Sequence, residues 1–148
     1  LPSLERGLAR SGRTLAALEI ICATLVVTAD DERDFQHVKT AARKQLAFYG
    51  STPAYRPTLD HHGWGDLHVE LNRLSKAGRW DAMAELIDDE ILETIAVVGS
   101  RSQIAAKLEA RLQGIGDVSL THNRAPDPEH WADVVAGIRR AGERGQNS

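Results

Sequence analysis

Two short stretches of this sequence combine residue types that could bind an anion or move a proton. The first, Gly99-Ser100-Arg101-Ser102, joins a flexible glycine, two hydroxyls and a cation directly before a segment with apolar residues at helical spacing. A helix that starts there would point free backbone N–H groups and the positive end of its dipole at a phosphate. Alternatively, Ser100 or Ser102 only caps the helix and Arg101 lies on the surface. Both interpretations stay open.

The second stretch, Thr121-His122-Asn123-Arg124, follows the alternating segment Val118–Leu120, which is typical of a short strand. His122 could orient a substrate or transfer a proton, and Arg124 could hold an anion. Alternatively, the whole stretch is a polar loop before Pro126 that faces water. The fold decides between these interpretations, because polar residues at a strand end carry chemistry only in certain architectures.

The histidines between residues 60 and 68 form the densest group of possible metal ligands. They lie in Asp60-His61-His62-Gly63-Trp64-Gly65-Asp66 and at His68. Neither a helical i, i+4 pair of histidines nor a CxxC motif accompanies them, whereas structural zinc sites have such regular ligand spacing. We therefore predict no metal site here, and a loop in which Trp64 packs on neighbouring helices.

Hydrophobic patterning predicts the elements that would position these residues. Glu19–Thr28 is rich in β-branched residues and almost continuously apolar, which predicts a strand covered on both faces. Asp30 or Asp31 is expected to cap the next helix, which Gly50–Pro53 ends. The apolar face of that helix is formed by Phe35, Val38, Ala42, Leu46 and Tyr49.

The rest of the chain is predicted to be mainly helical. Residues 55–93 have two helical faces separated by Gly78, and a further helix with Ile104, Leu108 and Leu112 on one face precedes the short strand. Asp127-Pro128 starts a last helix, and residues 143–148 are expected to form a disordered tail. The buried face of this last helix is expected to contain Trp131, Val134, Val135 and Ile138.

The turn between the apolar run ending at Val98 and the following helix depends on Gly99. We expect this position to be structurally demanding, because an apolar, strand-like run must turn into a helix there. If the φ of Gly99 is positive, a β-carbon is strained, and Gly99→Ala would destabilise the fold by about 1 kcal/mol or more.

Composition and charge exclude several classes of function. The chain has 148 residues, 42% hydrophobic and 26% charged, with a net charge of −3, so we expect one soluble domain that does not bind nucleic acid. The single cysteine, Cys22, rules out an internal disulfide and favours the cytoplasm. Leu15–Ala29 is apolar, but it is too short to span a bilayer and contains Glu19, which disfavours a membrane segment or a secretory signal.

Three segments together resemble the luciferase-like monooxygenases, a (β/α)8-barrel family that uses flavin or the deazaflavin coenzyme F-420. VVGSRSQIAAKLEARLQGIGDVSL is similar to the family's C-terminal signature: a hydrophobic pair, Gly and a small hydroxyl residue, a helix, and a Gly-rich turn into the last strand. ARKQLAFYGSTPAYRPTLDHHGW and LIDDEILETIAVVG are similar to its F-420-dependent branch. The resemblance runs from about Leu1 to Arg140 and covers only the last part of the usual family length.

The resemblance implies an α/β fold, namely the C-terminal part of a (β/α)8 TIM-type barrel. This part comprises the last two strands, an inserted helical segment and a closing helix. Residues 1–148 would be a single domain, or a fragment whose upstream portion is absent. Such an incomplete barrel would leave unpaired strand edges at Glu19–Thr28 and Asp117–Thr121, so we expect self-association.

The function that the resemblance implies is hydride transfer between coenzyme F-420, or alternatively FMN, and a small organic substrate. The chain alone is expected to be inactive, because coenzyme binding would require the upstream strands. The alternative is a non-catalytic truncated relative that acts as a helix-rich structural or interaction module. Barrel enzymes place chemistry at the carboxyl ends of their strands. The candidate residues are therefore His122 and Arg124 for catalysis, Thr28 and Asn123 for the substrate, and Gly99, Ser100, Arg101 and Ser102 for the cofactor.

Overall fold

A computed structural model describes residues 2–18, 21–112, 117–121 and 128–145 of the protein. Within these ranges, the strands are β1 (Ile21–Val27), β2 (Val97–Val98) and β3 (Asp117–Thr121), and they form one parallel sheet in the order β2-β1-β3. Single turns of 3-10 helix lie at Leu15–Ala17 and Pro53–Tyr55. The α-helices are α1 (Pro2–Arg10), α2 (Glu32–Ser51), α3 (Arg56–His61), α4 (Gly65–Lys76), α5 (Trp80–Glu85), α6 (Asp89–Ile95), α7 (Arg101–Leu112) and α8 (Pro128–Gly145).

The two predicted strands lie side by side, and a third strand adds to them. Residues 21–25 of β1 pair in register with residues 117–121 of β3, while β2 pairs with Val26 and Val27 on the other side of β1. β1 is the central strand, but residues 21–25 pair with β3 alone, and Val26 and Val27 pair with β2 alone. Within the part of the chain that the structure describes, the beginning of β1 therefore keeps an unpaired edge, as expected. Glu19 itself lies outside the described residues, and self-association stays a prediction.

The carboxyl end of β1 is covered on both faces, but its beginning is not. Val26 and Val27 are fully buried, whereas Ile21 is 60% exposed, so the prediction of a strand covered along its whole length is wrong. Since successive side chains of a strand point to opposite faces, Val26 and Val27 enter different cores. Val27 packs with residues of α2, α4, α5 and α6, and Val26 with Ile104, Leu108, Leu112 and Val134 of α7 and α8.

Helix α2 starts and ends where the sequence predicts. Asp31 is its N-cap, and the carboxylate accepts a hydrogen bond of 2.8 Å from the backbone N–H of Asp34. This contact satisfies one of the N–H groups that the first turn of a helix leaves without an intrahelical partner. Gly78 has a φ of +68° between α4 and α5, in agreement with its predicted role as a separator.

Helix α8 differs from its prediction on its face and at its end. Val134 is 1% exposed and belongs to the smaller core, but Val135 is 37% exposed, so its assignment to the buried face is wrong. The helix begins at Pro128 as predicted and extends to Gly145, so residues 143–145 of the predicted disordered tail are helical. Residues 146–148 lie outside the described part of the chain.

No helix in the described ranges is both long enough and apolar enough to span a membrane.

An ion-pair cluster between α2 and α6 should make the stability depend on pH. Asp89 pairs with Lys39 at 2.8 Å and with Arg43, and the hydrogen bond from Lys39, followed by that from Arg43, lowers the pKa of Asp89. A carboxyl group whose pKa is lower in the folded protein stabilises it above the unfolded pKa of about 3.9. That contribution is lost as the pH falls through the folded pKa.

We therefore expect wild-type protein to lose more stability than Asp89→Asn when the pH falls from about 5 to about 2. The difference should be a few tenths of a kcal/mol, because exposed ion pairs contribute little. Urea denaturation at each pH measures it, and Lys39→Met should reduce the pH dependence in the same way. Identical pH profiles for wild type and Asp89→Asn would contradict this role of Asp89.

Candidate functional site at the strand edge

The carboxyl ends of the three strands meet at one edge of the sheet. Val27 pairs with Val98, and the N–H of Gly99 donates a hydrogen bond of 3.0 Å to the carbonyl of Val27. Thr121, the last residue of β3, pairs with Leu25 of β1. Polar residues that follow β1 and β2 are therefore neighbours, although they are about 70 positions apart in the sequence.

The predicted site residues at this edge are only partly described. Gly99, Ser100, Arg101 and Ser102 lie at the start of α7, next to the residues that follow β1. His122, Asn123 and Arg124 lie outside the described residues, so their predicted roles stay predictions. Thr28 is 1% exposed, and contact between its side chain and a substrate would need the edge to open.

Helix α7 begins at Arg101, which places Ser100 at the capping position. The carbonyl of Ser100 accepts hydrogen bonds from the N–H groups of Gln103 and Ile104, both at 3.0 Å. The side chain of Gln103 accepts a hydrogen bond of 3.3 Å from the N–H of Ser100, which is half of a capping box. Ser102 lies within the first turn, so the alternative that Ser102 caps the helix is wrong.

Arg101 connects three separate parts of the chain. It donates hydrogen bonds to Asp30, at 2.9 Å, after β1, and to Asp133 in α8. The hydrogen bond to Asp133, followed by that to Asp30, raises the pKa of Arg101. The charge of Arg101 is therefore matched by two carboxylates, and the residue joins the segment after β1 to α7 and α8.

An open groove of about 350 Å³ runs along this edge, between the residues after β1 and the start of α7. Its basic residues in the described part of the chain already have partners: Lys39 pairs with Asp89, and Lys107 donates to the carbonyl of Val98 at 2.8 Å. Its acidic residues include Asp31, Glu32 and Glu93. This groove is suited to hydroxyl, amide or cationic groups, and the described residues do not support the predicted phosphate site.

The structure gives Gly99 a different role from the one predicted. Its φ is not positive, so the expected backbone strain of Gly99→Ala is wrong. A β-carbon there would lie 3.3 Å from Cδ of Lys107 and 3.5 Å from Cβ of Gln103. The glycine allows α7 to pack closely over the end of β2, and a lysine side chain can move to admit a methyl group.

The histidine-rich segment is a packing feature in the described structure, but only residues 62–64 form the predicted loop, because Asp60 and His61 end α3 and Gly65 begins α4. Trp64 packs against the larger core, as predicted, and His62 stacks on Trp64 with ring centroids 4.7 Å apart. His68 is buried, and its Nδ1 lies 2.7 Å from the carbonyl oxygen of Gly50. Among the described residues, no group of three His, Cys, Asp or Glu side chains is placed to hold a metal ion.

Comparison with known proteins shows the family of this chain, which the geometry of the strand edge alone does not show. A sequence profile described as luciferase-like monooxygenase matches residues 1–119, which is most of the chain. This chain belongs to the luciferase-like monooxygenase family. Uncharacterized proteins of Mycobacterium tuberculosis and Mycobacterium bovis are each 56% identical to it over 140 residues. The match covers 95% of this chain but 41% of each relative, so the chain spans about two fifths of their length.

Proposed function

We propose that this chain is the C-terminal part of a luciferase-like oxidoreductase that transfers a hydride between coenzyme F-420 and a small organic substrate. The observation that carries the proposal is the family match over residues 1–119. FMN is the alternative coenzyme. In either case the coenzyme supplies the electron chemistry, and the protein binds it, orients it and excludes water.

The strand edge supports this proposal by its position. Parallel strands flanked by helices place their functional residues at the carboxyl ends of the strands. In this chain that edge gathers Asp30, Gly99 and Ser100, and β3 ends at the same edge, directly before His122. Polar groups from segments distant in sequence therefore converge where a barrel enzyme of this family would bind its reactants.

The anionic part of the coenzyme does not fit the described residues of this edge. Arg101 is matched by Asp30 and Asp133, and the groove also carries Asp31 and Glu93. A phosphate bound there would meet more carboxylates than unengaged cations. We propose that Arg124, which follows β3, supplies the cation, together with residues of a longer protein.

The proposal is tested by titrating this chain and the longer Mycobacterium tuberculosis relative with F-420 and with FMN, using coenzyme fluorescence. We expect the relative to bind F-420 tightly and the shorter chain to bind it weakly or not at all. In a protein extended to the relative's length, Arg124→Ala should weaken binding tenfold to hundredfold, since losing a charge-assisted hydrogen bond costs roughly 1.5–3 kcal/mol.

Arg79→Ala is the matched control, because Arg79 is an exposed arginine between α4 and α5, remote from the strand edge. It should leave coenzyme binding unchanged. In the same extended protein, His122→Ala should lower turnover without changing the fold. If the relative binds neither coenzyme, the oxidoreductase proposal is wrong; if Arg124→Ala behaves like Arg79→Ala, only the site assignment is wrong.

The second candidate function is a non-catalytic interaction module. It is favoured by a row of exposed rings on the helical segment: Phe48 lies 6.5 Å from Trp80 and 5.9 Å from Tyr49, centroid to centroid. Phe48 and Trp80 are each about half exposed, and aromatic residues are enriched at protein interfaces. Coenzyme binding by the relative together with turnover would decide against this candidate.

A further inference from the structure

The helical segment between β1 and β2 contains a second cavity, of about 300 Å³. It lies between α2, α3, α4 and α6, and none of its lining residues lines the groove at the strand edge. Gly50, in the last turn of α2, is 18 residues from Glu32 at the strand edge, which is roughly 27 Å at about 1.5 Å per helical residue. The cavity is therefore a separate site.

The wall of this cavity is almost entirely apolar. None of the described residues that line it is charged, and its base is formed by buried side chains such as Leu46, Leu71 and Ile87. The hydroxyl groups come from Tyr49, Tyr55 and Thr58. Tyr55 and Thr58 are exposed, so they mark the mouth of the cavity.

Two walls of the cavity, α2 and α4, are fixed against each other. A β-carbon at Gly50 would lie 2.7 Å from Cδ1 of Leu71, so α2 and α4 approach closely at this glycine. His68 Nδ1 lies 2.7 Å from the carbonyl oxygen of Gly50, and Asn72 donates to the carbonyl of Ser51 at 2.8 Å. These hydrogen bonds attach α4 to the end of α2, so the position of these two walls is preformed.

Water inside such a cavity finds few hydrogen-bonding partners. A buried water is stable when it has two to four polar partners, and here most of the lining side chains are aliphatic. Transfer of an apolar molecule into a preformed, poorly hydrated apolar pocket is favourable. The volume is at the lower end of the range of ligand pockets, which limits the occupant to a small molecule.

We propose that this cavity binds a small apolar molecule, a fused ring system or a branched alkyl chain, that carries one hydroxyl or carbonyl group. The apolar body lies against Leu71, Ile87 and Ile91. The polar group lies at the mouth, within reach of Tyr55 and Thr58. This site is distinct from the coenzyme edge, and its occupancy does not depend on the proposed oxidoreductase activity.

The test uses 2-naphthol, two fused rings with one hydroxyl, as the probe of this site. The protein is labelled with ¹³C at the isoleucine and leucine methyl groups and titrated by NMR. We expect saturable shifts of the Leu71, Ile91 and Ile95 methyls, with a dissociation constant on the order of 0.1–1 mM for a ligand of this size. The Ile104 and Leu108 methyls, in the smaller core, serve as internal controls and should not shift.

Two variants locate the binding site. Thr58→Trp closes the mouth from an exposed position and should weaken naphthol binding at least tenfold. Thr40→Trp makes the same substitution on an exposed position of α2 that does not line the cavity, and should bind like wild type. Ile91→Phe fills part of the cavity from α6, and it serves as a second test of naphthol binding if Thr58→Trp does not fold.

The proposal is overturned by any of four results. Naphthol fails to bind, or the methyl shifts spread over both cores. Binding persists in Thr58→Trp and Ile91→Phe, which would place the probe on exposed rings such as Phe48 and Trp80. Sedimentation shows a dimer whose formation alone shifts the Leu71 and Ile91 methyls, which would make the occupant a second copy of the chain.

Discussion

Leu71→Ala is expected to lower the free energy of unfolding by about 2–5 kcal/mol, the range for truncating a fully buried leucine. Leu71 is 0% exposed, belongs to the larger core and lies against Gly50 where α4 crosses α2. Its loss removes buried apolar surface and enlarges the cavity that Leu71 lines. The total stability of a domain is about 5–15 kcal/mol, so this change alone would remove a large part of it.

The matched control is Val69→Ala on the same helix. Val69 is 57% exposed, and its truncation should change the free energy of unfolding by no more than about 0.5 kcal/mol. Urea denaturation monitored by circular dichroism measures both variants, and an unchanged denaturant slope indicates that the unfolded state is comparable. If Leu71→Ala costs no more than Val69→Ala, the larger core is not organised around α4.

Gly137→Leu is expected to destabilise the contact between α7 and α8 by about 3 kcal/mol or to detach α8. A β-carbon at Gly137 would lie 2.7 Å from Cβ of Ala105, a backbone-anchored atom that cannot rotate away. Overpacking of this kind typically costs 1–3 kcal/mol, and a leucine adds three further carbons beyond the β-carbon. Detachment would expose Val134, which is 1% exposed in the folded protein.

Hydrogen exchange of the α8 amides distinguishes detachment from uniform destabilisation. Val135→Leu is the control, because Val135 lies on the same helix and is 37% exposed.

A double variant tests the contact between Gly137 and Ala105 itself. Gly137→Ala adds a β-carbon on α8, and Ala105→Gly removes the β-carbon that it would meet on α7. Gly137→Ala gains up to about 1 kcal/mol in helix propensity, so the coupling energy of the pair, about 1 kcal/mol or more, is the decisive quantity. Additive effects would show that the helices are not in close contact at this point.

The element boundaries were predictable because their signals are local. Asp31 caps α2 through an N–H three residues away, Ile104, Leu108 and Leu112 bury one face of α7, and Pro128 starts α8. Each of these features depends on residues within one or two helical turns, and backbone geometry determines their relation. The family was also accessible from the sequence, because the order of segments from the first strand to the last is a pattern along the chain.

The predictions of burial were wrong where the burial of a residue depends on elements that are distant in the sequence. Continuous apolarity in Glu19–Thr28 predicted full burial, yet Ile21 is 60% exposed. Ile21 shares a face of β1 with Val27, but the larger core that covers Val27 does not extend to Ile21. Val135 has the same side-chain type as Val134 but faces away from α7. Periodicity gives the spacing of the residues on an apolar face, but only packing decides how much of that face neighbouring elements bury.

The sequence by itself determined the strand and helix pattern, the helix caps and the family of this protein. Only the tertiary structure decided that Arg101 is shared by Asp30 and Asp133, that β1 is the central strand, and that Gly50 holds α4 against α2. The physical reason is sequence separation. Asp30 and Arg101 are 71 positions apart, and Arg101 and Asp133 are 32 apart, so folding of the intervening chain decides whether these charges meet. The same folding decides whether a cation remains available to a coenzyme.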